Sequence, residues 1–303
     1  VTGRFAPSPT GPLHLGNLRT ALLAWLLARA NGEPFLVRME DLDRVTSSVE
    51  HERRQLADLA AIGLDWDGPV VRQSERFDRY HAAIDALTEQ GLTYECYCTR
   101  REIREAARAP HGPDLTYPGT CRDLTAAQRA ARRRERPAAL RLRAPAEPIT
   151  VEDGLAGSYT AVPDDVVLRR NDGVPAYNLA VVVDDAAQGV TTVVRGDDLL
   201  GSTPRQILLQ RLLGLPTPTY VHVPLVVGTD GERLAKRHGA VTLEDLAGVP
   251  VERIVGALAA SLGLVPEGTA VTAGELLDDF DLARVAARGR SPVPLADLQR
   301  SWA

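Results

Sequence analysis

The sequence predicts an α/β protein built on a parallel sheet, and three observations lead there. Short apolar runs alternate with helical patterns over the first ninety residues, and each of the first three helical stretches stops at a glycine, Gly32, Gly63 and Gly91. The 303-residue chain is also 44% hydrophobic, which is enough to fill a sizeable core. In order, "TGRFA" reads as a strand, 17 to 30 as a helix, "PFLVRME" as a strand, and 48 to 62 and 75 to 90 as helices. That alternation is the mark of βαβ units, which put helices on the faces of a parallel sheet.

The texture changes at 93. "TYECYCT", a Gly- and Pro-rich loop at 109 to 119, an Arg-rich helix and strand-like "ALRLR" follow one another. "VVLRR" and "VPAYNLAVVVDD" read as strands joined by a turn at Asn171 to Gly173, and "VTTVVRGDDL" as a further strand. Residues 93 to 185 are therefore expected to be an insertion into a sheet domain made of 1 to 92 and 186 to 228. The α/β pattern resumes with a helix at 202 to 213, closed by Gly214, and with "TYVHVPLVV". Residues 229 to 303 open on a polar loop and continue as helix, including "VERIVGALAASLGL".

No run of 18 apolar residues is present, and the N-terminus lacks the order of a secretion signal, so the expectation is a cytoplasmic protein with no membrane contact. The net charge of −5 argues against a general nucleic-acid coat. It conceals an asymmetry, because residues 99 to 143 hold twelve arginines and five acids, a local +7. Arginine donates bidentately to phosphate, so this segment is a candidate for contact with a polyanion, against the alternative of a solvated charged helix. Of the 35 basic residues only Lys236 is a lysine. In a composition swept nearly clean of lysine, the survivor points to a task for a compact ammonium, and phosphate binding is one.

The opening strand leads into "APSPTGPLHLGN", with a helix starting near Asn17. Prolines stiffen the turn, Gly11 and Gly16 permit close backbone approach, and the helix start turns N–H groups toward an anion, where His14 can also donate. All three cysteines, Cys96, Cys98 and Cys121, fall within 26 residues, a clustering that suits a metal better than a disulfide in a cytosolic protein. Three thiolates need a fourth ligand, and base rates favour His111.

The string "RFAPSPTGPLHLGNLRTAL" closely resembles the signature region of class I glutamyl-tRNA synthetases, with "HLGN" standing as the HIGH element. The resemblance continues in order through "LVRMEDLDR", "LDWDG", "RQSERFDRYHAAIDAL", "AYNLAVVVDD", "VRGDDLLGSTPRQILL" and "RLAKRHGA", and so covers most of residues 2 to 240. It implies a Rossmann-type class I catalytic core with an inserted α+β zinc-containing subdomain and a short C-terminal helical region. It also implies a mobile KMSKS-like loop at Arg233 to Arg237, with Lys236 as its ATP-contacting lysine. By the same resemblance His14 and Lys236 are catalytic, and His14, Gly16, Asn17 and Lys236 bind ATP. Arg4 and Arg195 pair with glutamate carboxylate, Glu40 and Tyr177 lie near its ammonium, and Ala6 and Ser8 line the strand end.

About 66 residues follow that loop, fewer than a large anticodon-binding domain needs. The chain thus resembles most the truncated branch of the family, the glutamyl-Q tRNA(Asp) synthetases. That branch activates L-glutamate with ATP and Mg2+, without needing tRNA for this step, and transfers it to the queuosine base in the anticodon of tRNA(Asp). No stable protein partner is implied. In this branch the pattern is C-x-C followed by Y-x3-C, which maps a structural Zn2+ onto Cys96, Cys98, Tyr117 and Cys121; His111 stays a competitor because the intervening loop is longer here. The alternatives are a catalytic fragment of a conventional glutamyl-tRNA synthetase and a non-catalytic paralog that binds RNA or glutamate.

Overall fold

The computed structural model of the protein describes residues 2–99, 101–103, 117–228 and 241–300. At its centre is β1 (Gly3–Phe5), paired in parallel with β2 (Phe35–Met39) on one side, Gly3 opposite Phe35. The 16-residue helix α1 (Leu15–Ala30) connects them, and its leucines at 15, 18, 22, 23 and 26 are fully buried. Helix and strand approach closely at Gly3, where a Cβ would stand 3.1 Å from the Ala28 Cβ and 3.2 Å from the Ala24 carbonyl oxygen. The "LDWDG" segment fastens the end of α1 to the start of β2: Trp25 Nε1 donates to Asp65 at 2.8 Å, and Arg29 Nη1 and the Phe35 N–H both donate to Asp67. After β2 come α2 (Val49–Ala61), capped by the Ser48 hydroxyl, the short β3 (Val71–Arg72), and α3 (Phe77–Glu89). Gly32, Gly63 and Gly91 follow the three helices at φ 69°, 80° and 72°, the left-handed stop expected of them.

The main sheet has the order β3-β2-β1-β9-β10-β6-β7. Here β9 is Thr192–Gly196, β10 is Thr219–Val223, β6 is Ile149–Asp153 and β7 is Gly157–Ala161. Every pairing is parallel except that of β6 with the edge strand β7. The expected insertion boundary therefore runs through the sheet: β6, inside 93 to 185, pairs onto β10 through Asp153 and Tyr220, and β7 pairs onto β6. What remains of that span is a three-stranded antiparallel sheet of β4 (Thr93–Cys96), β5 (Ala139–Leu142) and β8 (Val167–Arg169), with the exposed helix α4 (Ala126–Glu135).

A second correction concerns "AYNLAVVVDD". It is not a strand but the helix α5 (Tyr177–Ala187), which buries Leu179, Ala180, Val181, Val182, Asp184 and Asp185. A run of three valines favours a strand locally, but here the segment packs with α3 and the following helix α6 (Thr203–Leu213), and its two aspartates are held by buried donors.

Past residue 240, α7 (Val251–Ser261), α8 (Leu282–Ala287) and α9 (Leu295–Arg300) follow, and the short β11 (Val226–Val227) pairs in parallel with β12 (Val293–Pro294). Ile254, Val255 and Leu258 of α7 join the same core as α1 and the sheet, so this helical region is packed directly on the sheet layer. Among the described residues no helix is long and apolar enough to cross a membrane.

Candidate active site

The turn between β1 and α1 is built around one imidazole. His14 is the N-cap of α1: its Nδ1 accepts the Asn17 N–H at 3.3 Å while the Asn17 side-chain oxygen accepts the His14 N–H at 3.1 Å. With Nδ1 acting as acceptor, a neutral ring carries its proton on Nε2. Gly16 makes room for that ring, since a Cβ there would lie 3.0 Å from His14 Cε1 and Nδ1. Gln55 of α2 pins the turn from below, donating to the carbonyls of Ser8 at 3.0 Å and Gly11 at 2.7 Å. From the other side the Leu15 N–H donates to the Val241 carbonyl, and His14 forms a bridge to Thr242. Lys236 and the whole Arg233 to Arg237 motif lie outside the described residues. Val226 and Thr242, which lie before and after that motif in the chain, both line the cavity above this turn.

That cavity has a volume of about 700 Å³ and lies over the C-terminal ends of the strands, where the connections leaving the neighbours β1 and β9 run in opposite directions, to β2 and to β10. Into it the fold brings Arg4, Ala6 and Ser8 from β1 and its turn, and His14, Gly16 and Asn17 from the cap. Glu40 joins them from the end of β2, Tyr177 from the first turn of α5, and Arg195 from β9. These are the residues the sequence motifs singled out, Lys236 apart. Asn17 is engaged in holding His14.

Beneath the cavity lies a buried ionic frame. Arg4 Nε donates to Asp185 at 3.3 Å and its Nη1 to the Val194 carbonyl at 3.2 Å. Arg38, fully buried, donates to Asp185 at 2.8 Å, Gln188 at 2.8 Å and Glu40 at 3.4 Å. Asp184, also fully buried, accepts from Gln73 at 3.1 Å, Arg76 at 2.6 Å and Tyr80 at 2.6 Å. Burial alone would raise the Asp185 carboxyl, but Arg38 and Arg4 overcome it and hold the group below its ordinary range. Glu40 goes the other way: burial raises its carboxyl despite the two arginines. Burial, with Glu40 beside it, also raises the Tyr177 phenol. Arg195 differs from Arg4 in that, among the described residues, its donors meet only neutral acceptors, Gln206 at 2.8 Å, Thr203 at 2.9 Å and His222 at 3.1 Å. Arg38, Asp184, Asp185, Asp153 and His222 carry this arrangement and were not singled out one by one in the sequence. The available signal was that Arg38 and His222 put a charge or a ring nitrogen on a mostly apolar strand and Asp184 and Asp185 follow an apolar run; Asp153, after Glu152 in β6, gave none.

A second cavity, of about 950 Å³, shares Ser8, Glu40 and Tyr177 with the first and extends to the cysteines. Cys96, Cys98 and Cys121 bring their sulfurs within 4.8 Å of one another. Tyr117 Oη lies 3.4 Å from Cys96 Sγ and 3.7 Å from Cys98 Sγ, and it accepts the Cys121 N–H at 2.9 Å. Ligands held tetrahedrally about 2.3 Å from one ion stand about 3.8 Å apart, so the donor set fits a zinc-sized cation. Hydrogen bonds from Cys98 and Tyr117 push the Cys96 thiol down to about 5, while the Cys98 thiol is pushed up, so between the two the charge is favoured on Cys96. Arg141 stacks on the Tyr117 ring, 3.7 Å from its centroid. His111 lies outside the described residues.

The mononucleotide-type parallel sheet, the His-capped first helix and the buried arginine–carboxylate cavity define a class I aminoacyl-tRNA synthetase catalytic core. The chain belongs to the family of class I tRNA synthetases (E and Q), catalytic domain, which it matches over residues 1–271. It is 64% identical over 298 residues to a glutamyl-Q tRNA(Asp) synthetase from Nocardia farcinica (strain IFM 10152), covering 97% of this chain and 93% of that protein. A protein of the same name from Symbiobacterium thermophilum is 50% identical over 310 residues, covering 97% of this chain and 95% of that protein. Within the class, the chain belongs to the glutamyl-Q tRNA(Asp) synthetases. Its fold matches the crystal structure of a glutamate tRNA ligase from Elizabethkingia meningosepticum in complex with its amino acid, with a TM-score of 0.82 and 27% identity, over 99% of this chain and 68% of that one.

Proposed function

We propose that the protein is an ATP-dependent ligase that converts L-glutamate to glutamyl-adenylate without tRNA and then transfers the glutamyl group to the queuosine base in the anticodon of tRNA(Asp). The observation that carries this reading is the meeting, in one cavity, of the His14 cap with Arg4, Glu40, Tyr177 and Arg195.

In the first step the α-carboxylate oxygen of glutamate attacks the α-phosphorus of ATP, an acyl–phosphate bond forms, and the bond to pyrophosphate breaks. No protein nucleophile is required, so the residues act by alignment and by stabilising developing negative charge. Arg195 and Arg4 hold carboxylate, Glu40 and Tyr177 face the ammonium, and Ala6 and Ser8 shape the strand end. His14 Nε2 donates to phosphate beside Gly16 at the positive end of α1, and Lys236 supplies an ammonium to the leaving group. ATP enters as its magnesium complex, the ion neutralising phosphate charge. In the second step a hydroxyl of the modified base attacks the acyl carbon and AMP leaves.

The described residues of 93 to 148 and 162 to 170 form the subdomain beside the catalytic sheet, and residues 229 to 303 carry the Arg233 to Arg237 motif followed by the helical region. Cys96, Cys98, Tyr117 and Cys121 would hold a structural Zn2+, which would clip that subdomain at the end of β4 rather than take part in the chemistry. Helix α4 buries none of its side chains, which supports the reading that its arginines meet RNA phosphate. The protein works in the cytoplasm, where its tRNA substrate is found.

Glutamate-dependent exchange of labelled pyrophosphate into ATP, measured without tRNA, tests the first step. Exchange by the native chain and its loss in Lys236→Ala, with glutamate binding kept, is the expected result. No exchange by the native chain, or full exchange by Lys236→Ala, overturns this assignment of roles.

A further inference from the structure

We propose that Asp153 and His222 are positioning residues that hold the Arg195 guanidinium in place for a substrate carboxylate, by fixing which nitrogen of His222 carries the proton. The inference rests on the glutamate-activating reading above.

Among the described residues Arg195 is paired with no carboxylate, whereas Arg4 and Arg38 both engage Asp185. Arg195 is nonetheless buried, at 5% exposure, and it faces the cavity. A buried cation whose own protein partners are all neutral keeps its charge for a ligand. Its orientation then depends on those neutral partners presenting lone pairs rather than protons.

A chain of buried groups ensures this at Nε. Asp153, at the end of β6, is set by the β6–β7 turn, because its Oδ1 accepts the N–H groups of Leu155 at 3.0 Å and Ala156 at 2.7 Å. Both of its oxygens also accept the His222 N–H at 3.1 Å. Its Oδ2 lies 2.5 Å from His222 Nδ1. An ionised carboxylate only accepts, so Nδ1 must donate, and a neutral ring then presents a lone pair at Nε2. That lone pair faces Arg195 Nε at 3.1 Å and the Thr203 hydroxyl at 3.1 Å. The Tyr220 ring stacks on His222, 6.0 Å between centroids at 16°, and lies 5.2 Å from the guanidinium carbon, closing the chain to water. Burial, the largest influence, lowers the imidazole's basicity; the bond to Asp153 works against it and Arg195 with it, and the net direction is down, toward a neutral ring. With the proton on Nε2 instead, two N–H groups would meet head on and Arg195 would have to turn.

The test sets two near-isosteric substitutions against each other. In Asp153→Asn the new amide N–H2 donates to Nδ1 and drives the proton to Nε2, while the remaining oxygen can still accept from Leu155 and Ala156. In His222→Gln the side chain keeps a donor for Asp153 and an acceptor for Arg195. Glutamate affinity is read by titration calorimetry on the full chain, KM for glutamate and for ATP by pyrophosphate exchange, and folding by thermal denaturation. The expected result is a rise in glutamate Kd and KM of about tenfold or more for Asp153→Asn, the factor of one charge-assisted hydrogen bond. KM for ATP should stay within about twofold, and His222→Gln should retain glutamate affinity within about threefold of the native chain. Native-like glutamate affinity in Asp153→Asn, or an equal loss in a folded His222→Gln, overturns the inference. A native chain that binds no glutamate at all overturns the functional reading, and this inference with it.

Discussion

Replacing Gly16 with alanine separates the stability of the first turn of α1 from its chemistry. The added Cβ would lie 3.0 Å from two ring atoms of His14 and 3.5 Å from the Val226 Cβ, so the imidazole must shift by a few tenths of an ångström or rotate. Alanine for glycine near the start of a helix gains at most about 0.5–1 kcal/mol. Disturbing the Nδ1 bond to the Asn17 N–H weakens an N-cap, which costs about 0.5–2 kcal/mol. The two nearly offset, and the net change in unfolding free energy should stay within about 1.5 kcal/mol. Activity should not be spared. If His14 Nε2 donates to the reacting phosphate, moving the ring removes a preorganised donor of a kind worth about 10²-fold in rate. Urea denaturation and pyrophosphate exchange on the same preparation read the two quantities. Exchange within twofold of the native rate, or a stability loss beyond about 3 kcal/mol, would refute the reasoning.

Tyr80→Phe should lower the unfolding free energy by about 1–3 kcal/mol, because the buried Asp184 carboxylate loses one of its three side-chain donors; a change below about 0.5 kcal/mol by urea denaturation would contradict this. Cys121→Ser should abolish stoichiometric zinc in metal analysis of the purified protein and expose the subdomain of β4, β5 and β8 to limited proteolysis, whereas unchanged metal content would remove the cluster from consideration as a metal site. Glutamate binding should weaken as pH falls, since Glu40 attracts an ammonium only when ionised and burial puts its carboxyl above the ordinary range. Affinity measured from about pH 7.5 down to about pH 5 should show that loss in the native chain and a flatter profile in Glu40→Gln; parallel profiles would remove Glu40 from the site.

The helices with the clearest punctuation were legible in the sequence. Those closed by Gly32, Gly63 and Gly91 end where they were expected to, because a left-handed stop is a local property of the backbone. "AYNLAVVVDD" misled because α5 is buried on much of its surface, which erases the polar alternation a helix usually shows, and because valine favours a strand when no neighbours are considered. The strands "ITVED" and "GSYTA" look like any hairpin, and nothing within them says that β6 pairs with β10 rather than with β5. Membership of a sheet is decided by partners far away in the chain. Of the cavity lining, only the His14 turn stood out by its own prolines and glycines; Arg4, Ala6, Ser8, Glu40, Tyr177 and Arg195 were legible through the resemblance to the family's motifs. The supports beneath it were not: Arg38 on β2, Asp153 on β6 and His222 on β10 are each buried on a strand, where one polar letter gives no indication of what it faces. Their importance becomes visible only as distances, such as the 2.8 Å from Arg38 to Asp185 and the 2.5 Å from His222 to Asp153.

The central claim is that this catalytic core loads glutamate onto a modified base in an anticodon. Incubation with labelled glutamate, ATP and Mg2+ against three purified RNAs tests it most directly: tRNA(Asp) with queuosine, tRNA(Asp) without it, and tRNA(Glu). Label in the queuosine-containing tRNA(Asp) alone is the predicted result. Label in tRNA(Glu) instead, or in none of the three while pyrophosphate exchange proceeds, would contradict it.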